Sequence, residues 1–314
     1  MTSPGDEAAT GVAEHCYRHP SVETGVHCVR CDRPICPQCM IPASVGFQCP
    51  ECVSEGSKAV RQARTVYGGV VRPGQMGRVT QVLIGINLVV FVMTVASGAN
   101  FFNGHPGSST VYNRFALVPA EIAHGQWYRL ITAAFLHYGI LHIFFNMYAL
   151  LIVGPQLEHA LGRIRYVALY VLAGIGGGVL SLAVGPVNEQ AAGASGAIFG
   201  LFGALYIVAR HQNLQTNAIA GTIAINLVIT FTISNIDWRG HVGGLVVGAA
   251  VAAVYAYAPR GPSRAQLQVA GVVAAAVVVA AVGLIGANHV KNECPTLVSF
   301  TEIHGVAFCP GHSL

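Results

Sequence analysis

The sequence contains little charge. Only 30 of its 314 residues, or 10%, are charged, against about 25% in ordinary soluble domains. Twelve of the 30 fall in the 207 residues from 80 to 286, which hold no lysine and one aspartate. A soluble fold could not cover its surface with so few charges, and intrinsic disorder needs high charge and low hydrophobicity. With 53% hydrophobic residues, the composition predicts an all-α polytopic membrane protein, and the net charge of +4 gives no reason to expect nucleic-acid binding.

Two hydrolytic motifs are also absent. No His-Glu-x-x-His zinc motif occurs, since His159 follows Glu158 in the reverse order. A catalytic aspartate pair is excluded as well, because Asp237 is the only aspartate in the membrane region. Chemistry in this region must therefore use other residues.

Seven apolar segments reach or approach the roughly 20 residues that a transmembrane helix needs. They are Val79–Ser97, Trp127–Val153, Tyr166–Val184, Ser195–Val208, Ala218–Ile233, His241–Tyr257 and Gln266–Ala287. Lys and Arg collect in cytoplasmic loops, and a cytoplasmic N-terminus puts ten of these residues inside and four outside. The predicted topology therefore has its N-terminus in the cytoplasm and its C-terminus outside.

The fourth segment, Ser195–Val208, is too short to cross a hydrocarbon core of roughly 30 Å. Its outer end must lie below the membrane surface, inside protein or against a water-filled cavity. Polar residues at such a depth are candidates for function.

Seven of the nine cysteines lie near the N-terminus, in pairs with a spacing that suits zinc. The pairs are Cys16-x2-His19, Cys28-x2-Cys31, Cys36-x2-Cys39 and Cys49-x2-Cys52. A two-residue gap lets both side chains of a pair reach one ion, and eight ligands suffice for two tetrahedral sites. A reducing cytosol favours metal over disulfide, so the predicted cofactor is two structural zinc ions, with none for catalysis.

This segment resembles the B-box and other RING-like treble-cleft zinc modules. In such modules the pairs usually alternate, which implies one site of Cys16, His19, Cys36 and Cys39, and another of Cys28, Cys31, Cys49 and Cys52. The sequence alone leaves a sequential pairing open, and His15 or His27 could replace a neighbour. We expect the metal to supply folding energy and the module to bind a cytoplasmic protein. The other two cysteines, Cys294 and Cys309, lie in the predicted outer tail, where a disulfide is permitted but not required.

A serine and a histidine lie at the outer ends of two predicted spans, within Gly193-Ala194-Ser195-Gly196 and Gly240-His241-Val242-Gly243-Gly244. Serine is a weak nucleophile that needs an adjacent base, and histidine is the usual one. Glycines at four-residue spacing on both segments allow the two helices to approach closely. The pattern favours Ser195 as a nucleophile and His241 as its general base.

The second span carries His142 and Asn146 on one helix face, since they are four residues apart. They could be hydrogen-bonded core residues, or donors to the oxyanion that a serine mechanism generates. The backbone N–H of Ser195 is a further candidate donor.

Together these residues resemble the rhomboid family of intramembrane serine proteases. The matching motifs are Gly193-x-Ser195-Gly196, His241-x-x-Gly244, His142-x-x-x-Asn146, Trp127-x-Arg129 and Gly154-x-x-x-Glu158-x-x-x-Gly162. The resemblance implies a Ser195–His241 dyad, an oxyanion hole of His142, Asn146 and the Ser195 amide, an outer loop containing Trp127 and Arg129, and a structural Glu158. It also implies transmembrane protein substrates reached through the lipid bilayer. A non-catalytic relative that binds transmembrane helices as a chaperone or adaptor is the alternative.

The resemblance implies a six-helix core with one added C-terminal helix, a 6+1 arrangement. The predicted order is a disordered N-terminus (1–12), a zinc-binding module (13–54), a basic linker (55–78), the rhomboid core (79–257), a seventh span (266–287) and an extracytoplasmic tail (288–314). The expected location is the cell membrane.

Overall fold

The computed structural model describes residues 14–59, 64–70, 77–102, 109–233, 236–299 and 307–311. The predicted disordered segment 1–12 and part of the linker 55–78 lie outside these residues. The chain divides into two compact units, Met1–Ala63 and Arg64–Leu314.

The first unit is a small module built around cysteine thiols. Strand β1 (His15–Cys16) pairs with β2 (His19–Glu23), and β3 (Ile41–Pro42) pairs with β4 (Phe47–Gln48), both antiparallel. Helix α1 (Pro50–Ala59) follows. The buried side chains are six cysteines and Ile35, which is too little apolar surface for a stable core without a cross-link or metal.

The second unit is helical. Its helices are α2 (Arg78–Ala96), α3 (Thr110–Phe115), α4 (Pro119–Ala123), α5 (Arg129–Thr132), α6 (Ile140–Leu161), α7 (Arg163–Val184), α8 (Ser195–His211), α9 (Asn217–Thr232), α10 (Trp238–Tyr257) and α11 (Arg264–Glu293). The only sheet in the described part of this unit pairs β5 (Val298–Ser299) with β6 (Ala307–Phe308).

Five helices of the described residues, α2, α6, α7, α10 and α11, are long and apolar enough to cross a membrane. Helices α8 and α9 are apolar but have 17 and 16 residues. At 1.5 Å per residue, α8 is about 25 Å long, still less than a hydrocarbon core of roughly 30 Å. The count of six core spans plus one stays a prediction.

The predicted boundaries of the second span, Trp127–Val153, are wrong. Residues 129–135 form α5 and a short 3-10 turn, and the long helix α6 begins only at Ile140 and ends at Leu161. The early segment is held out of the long helix because buried Arg129 donates to the carbonyl oxygens of Asn113 (3.0 Å) and Ala116 (2.5 Å) and pairs with Glu121. These tertiary contacts override apolar composition.

Helix α6 continues past Pro155 to Leu161, and Glu158 in its last turns contacts helix α2. The buried Glu158 carboxylate accepts hydrogen bonds from the N–H groups of Val79 (3.1 Å) and Thr80 (3.0 Å) and from the Thr80 hydroxyl (3.1 Å). The first N–H groups of a helix lack intrahelical partners, and a carboxylate there also meets the positive end of the helix dipole. Glu158 therefore caps α2.

The centre of the second unit is the packing of α8 against α7 and α10. A Cβ at Gly244 of α10 would overlap the backbone carbonyl of Gly196 in α8. One turn further along, Gly248 meets Gly200 in the same way. Backbone-to-backbone contact of this kind is how membrane helices associate where apolar burial gives no net driving force.

We expect Gly244→Ala to destabilise the protein by about 1–3 kcal/mol, the range for overpacking a tight site. Gly85→Ala in α2 is the matched control, because a Cβ at Gly85 would have no atom within 4 Å and alanine favours a helix over glycine by up to about 1 kcal/mol. Thermal unfolding of the purified protein in detergent measures both. Equal melting temperatures for the two variants would refute the close contact.

Candidate active site

Ser195 is the first residue of α8, and the segment that leads into it is held by backbone hydrogen bonds. Leu117 and Ala191 exchange two of them, at 2.9 and 3.0 Å, and the Gly193 N–H donates to the Ala133 carbonyl at 2.9 Å. Gly193 has φ of +138°, which disfavours any side chain there. The half-buried Ser195 is thereby fixed with its N–H at the free end of a helix.

The His142 imidazole lies against the same segment. A Cβ at Gly193 would lie 2.9 Å from His142 Nε2 and 3.5 Å from the Ser195 Oγ, so both groups flank one small space. His142 Nδ1 accepts a hydrogen bond from the Tyr138 N–H at 3.2 Å. The neutral ring then carries its proton on Nε2, which makes that nitrogen a donor beside Ser195.

Asn146 is buried one turn along α6 from His142. Its Nδ2 donates to the His142 carbonyl at 2.9 Å. The amide has a second N–H, so Asn146 is held in place with one donor still available.

His241 lies in the first turn of α10, and its ring stacks on Phe199, with 4.2 Å between centroids and 14° between planes. Phe199 is four residues after Ser195 on α8, so it lies on the same helix face. The stack fixes the plane of the imidazole one turn from the serine.

The other contact of His241 is with Thr230 of α9. Thr230 Oγ1 lies 2.7 Å from His241 Nδ1 and also donates to the Asn226 carbonyl at 2.7 Å. A hydroxyl has one proton, so Thr230 must accept from His241 Nδ1–H. This places the ring proton on Nδ1 and leaves Nε2 with a free lone pair, the form that a general base requires.

Ser195 and His241 lie on touching helices, since a Cβ at Gly196 would be 3.1 Å from the Gly240 carbonyl oxygen. Among the hydrogen bonds of the described residues, none joins the Ser195 hydroxyl to the His241 ring. Catalytic hydrogen bonds are often long without substrate and tighten in the reacting complex.

Two of the predicted motif residues are placed in the loop before α6. Arg129 is buried and, besides its carbonyl contacts, donates from Nε to the Gln126 Oε1 oxygen at 2.8 Å. Trp127 is 38% exposed, and its ring lies 3.9 Å from where a Cβ at Gly283 of α11 would be. Arg129 thus organises this loop through neutral and acidic oxygens.

Two residues that contact His241, Thr230 and Phe199, were not predicted from the sequence. Phe199 could have been found from its four-residue spacing to Ser195, whereas Thr230 lies in an apolar helix without a motif.

The loop before Ser195 is also tied to the C-terminal tail. Cys294 and Cys309 form a disulfide with 5.6 Å between their Cα atoms. The Asn188 side chain binds both backbone groups of Cys309: its Oδ1 accepts from the N–H at 2.8 Å, and its Nδ2 donates to the carbonyl at 3.1 Å. His124 Nε2 contacts the Cys294 carbonyl at 2.9 Å. The sequence did not decide whether these two cysteines are bonded, and the structure contains the disulfide.

In the first unit, the alternating grouping of the paired ligands is the one that the structure forms. The two clusters are Cys16, His19, Cys36 and Cys39, and Cys28, Cys31, Cys49 and Cys52, with donor atoms within 4.8 Å of one another in each. His19 Nδ1 lies 3.3, 3.4 and 3.8 Å from the three thiols of its cluster. Tetrahedral zinc with Zn–S of about 2.3 Å requires donor separations of about 3.8 Å, so the donor set fits.

The thiols of each cluster differ in proton affinity. Burial raises the pKa of Cys16 and Cys28, but backbone hydrogen bonds outweigh it and lower both values to about 6. Burial, together with hydrogen bonds that these thiols donate to neighbouring cysteine sulfurs, raises the pKa of Cys39 to about 11 and of Cys52 to about 12. Four thiolates can coexist at this spacing only around a cation.

The two histidines that could have replaced a ligand lie outside both clusters. His27 instead contacts the Glu14 carboxylate at 2.6 Å and the Asp32 carbonyl at 2.9 Å. His15 is exposed in β1.

Comparison with known proteins gives one family. Residues 124–258 match the Rhomboid domain family model. The chain is 38% identical to Rhomboid protease GluP of Bacillus subtilis over 179 residues, which cover 55% of this chain and 34% of GluP. It is 33% identical to Putative rhomboid protease YdcA of the same organism over 168 residues, 51% of this chain and 84% of YdcA.

A third relative, RHOMBOID-like protein 5 of Arabidopsis thaliana, is 33% identical over 150 residues, 46% of this chain and 48% of that protein. The match thus spans about a third of GluP and about half of the plant protein. The cysteine clusters at 16–52 precede the matched domain. With these relatives and its several apolar helices, the chain is a multi-pass membrane protein that belongs to the rhomboid family.

Proposed function

We propose that the chain is an intramembrane serine endopeptidase that hydrolyses peptide bonds in or near transmembrane segments of other proteins. The observation that carries this proposal is the placement of Ser195 at the start of α8, between the His142 imidazole and the helix that bears His241. Nucleophile, base and oxyanion donors are the parts that acyl transfer needs. The family supports the same reaction.

The proposed reaction begins with attack of the Ser195 Oγ on the scissile carbonyl carbon. His241 Nε2 takes the hydroxyl proton, and the carbonyl oxygen becomes an oxyanion. That charge accepts hydrogen bonds from the Ser195 N–H, the His142 Nε2–H and the second Asn146 N–H. The C–N bond then breaks as His241 returns its proton to the leaving amine, which leaves an acyl-enzyme that water hydrolyses by the same route.

Thr230 takes the position of the third member of a catalytic triad, but as a neutral hydroxyl. It is a positioning residue, because its contact is with the His241 ring, whose tautomer it holds. A neutral partner stabilises the protonated imidazole less than a carboxylate would, yet it avoids burying an unpaired charge in the membrane.

The proposed topology places the N-terminus in the cytoplasm and the C-terminal tail outside. The excess of Lys and Arg in the inner loops supports it, and so does the Cys294–Cys309 disulfide, since disulfides persist in oxidising compartments. The Ser195 end of α8 then faces the outer side, where water can enter.

For the first unit we infer two structural zinc ions, held by the two four-residue clusters. All four positions of each site are filled by protein, which is typical of structural and not catalytic zinc. On the cytoplasmic side such a rigid module suits binding of a soluble protein partner.

Ser195→Ala and His241→Ala are each expected to lower the rate of cleavage of a model transmembrane substrate by at least about 10³-fold, since members of one catalytic unit fail together. The measurement is proteolysis by the purified protein in vesicles. Ser263→Ala, at the exposed start of α11, and His289→Ala, on the exposed face of that helix, should keep full activity. Undiminished cleavage by either dyad variant would disprove the assignment, and helix binding without any cleavage by the wild type would favour the chaperone alternative.

Thr230→Val should reduce kcat by about 10-fold, less than the roughly 10²–10⁴-fold that general base catalysis itself contributes, because His241 stays in place but loses the acceptor that fixes its tautomer. KM should change little, the pH–rate profile should shift, and Thr230→Ser should restore activity. Thr222→Val is the control, because that exposed hydroxyl on the same helix donates to the Ala218 carbonyl at 2.9 Å and has no other hydrogen bond among the described residues. An unaltered pH–rate profile in Thr230→Val would contradict the positioning role and would mean that Thr230 contributes only to packing.

Metal analysis of the purified full chain should find about two zinc ions per molecule, as eight ligands at four per ion imply. Cys28→Ala should lower the content to about one, and His15→Ala, outside the clusters, should leave two. Chelation should unfold the module while the rhomboid domain stays folded, as seen by limited proteolysis. A metal-free chain with a folded N-terminal module would contradict the inference.

A further inference from the structure

Three arginines of the second unit meet at the segment 64–70, and none of them pairs with a carboxylate of the described residues. Arg64 Nη1 donates to the Gly68 carbonyl at 3.3 Å, and the Arg165 guanidinium lies 3.3 Å from where a Cβ at Gly68 would be. Arg264 Nη1 donates to the Val66 carbonyl at 2.8 Å. All three positive charges therefore border one short segment.

The remaining contacts of these side chains are also to neutral oxygens. Arg165 gives Nε and Nη2 to the Gln268 amide oxygen at 2.9 and 2.8 Å, and Arg264 Nη2 reaches the Tyr255 carbonyl at 3.4 Å. The Arg264 Nε is buried and has no hydrogen-bond partner in the part of the chain that the structure describes. Within the described ranges no Asp or Glu pairs with any of the three arginines. A cluster of charge +3 with a buried donor that has no partner among the described residues is suited to accept an anion.

An apolar groove of about 430 Å³ begins one turn away from this cluster, between α7 and α11. Val167, Val171 and Ile175 line it on α7, and Val272 and Ala276 line it on α11. Arg165 is hydrogen-bonded to Gln268, and Val272 of the groove lies one helical turn beyond Gln268. The arginine cluster therefore lies next to one end of the groove.

The groove lies towards the arginine end of the two helices, between residues 164–175 of α7 and residues 272–276 of α11. At the other end they are in close contact, where a Cβ at Gly286 would lie 2.7 Å from the Ala183 Cα and one at Gly283 would lie 3.4 Å from Val179. The groove therefore ends where α7 and α11 touch, on the Cys294 side, and we call this space the wedge.

We propose that this wedge is a binding site for one anionic phospholipid, with its phosphate at Arg64, Arg165 and Arg264 and an acyl chain in the groove. Arginine matches phosphate oxygens with its forked donors, and basic pockets between membrane helices bind anionic headgroups. The adjoining apolar groove selects a lipid over a free phosphate ion, since only a lipid fills both parts. The bound lipid would join the core helix α7 to the added helix α11.

The test uses the full-length protein in detergent, with lipid binding measured by native mass spectrometry and melting temperature. Phosphatidylglycerol should bind at one molecule per chain and raise the melting temperature, at least about ten times more tightly than phosphatidylcholine. Inorganic phosphate alone should have no effect. Equal affinity for the two lipids, or an equal effect of inorganic phosphate, would overturn the proposal.

Arg165→Gln combined with Arg264→Gln should weaken phosphatidylglycerol binding at least about tenfold, whereas Arg210→Gln, on an exposed arginine at the end of α8, should not. A second pair of variants tests the groove without touching charge. Ala276→Trp should fill it and weaken binding several-fold, while Val278→Trp, 62% exposed on α11 and outside the groove lining, should bind normally. Unchanged binding in Ala276→Trp would overturn the site even if the arginine variants fail to fold.

Discussion

The contact between the backbones of α8 and α10 is the constraint on which the rest of the second unit depends. Gly196 against Gly244 and Gly200 against Gly248 leave no room for a Cβ. In a membrane, helices gain little from burying apolar side chains, so close packing of backbones has to hold them together. This contact brings the first turns of α8 and α10 together, and these turns carry Ser195 and His241.

Around this contact, the polar groups of the apolar region are held by partners from distant parts of the chain. Glu158 caps α2, and Arg129 gathers the carbonyls of Asn113 and Ala116. Asn188 joins the loop before Ser195 to Cys309. An unsatisfied polar group is costly in such surroundings, so each of these residues fixes the position of a segment, and together they hold the site on rigid supports.

Much of this arrangement could be predicted from spacing. The helical period and glycine steps indicated which helices meet, and the two-residue gaps indicated which cysteines and histidine form the two clusters. What spacing could not predict depends on tertiary hydrogen bonds: the late start of α6 at Ile140, imposed by Arg129; the donor state of His142, set by the Tyr138 N–H; and the base form of His241, set by Thr230. The arginine cluster was hidden for the same reason, because Arg64 lies 101 positions before Arg165 and the two meet only through the fold.

The central claim is that helix contact makes Ser195 a nucleophile by placing His241 beside it. Reaction of the purified protein with a serine-directed fluorophosphonate, followed by peptide mapping, tests this without a natural substrate. We expect about one adduct per chain, on Ser195, which is lost in His241→Ala and strongly reduced in Gly244→Ala. Labelling of Ser195 at an equal rate in wild type and His241→Ala, or labelling of another serine, would contradict it.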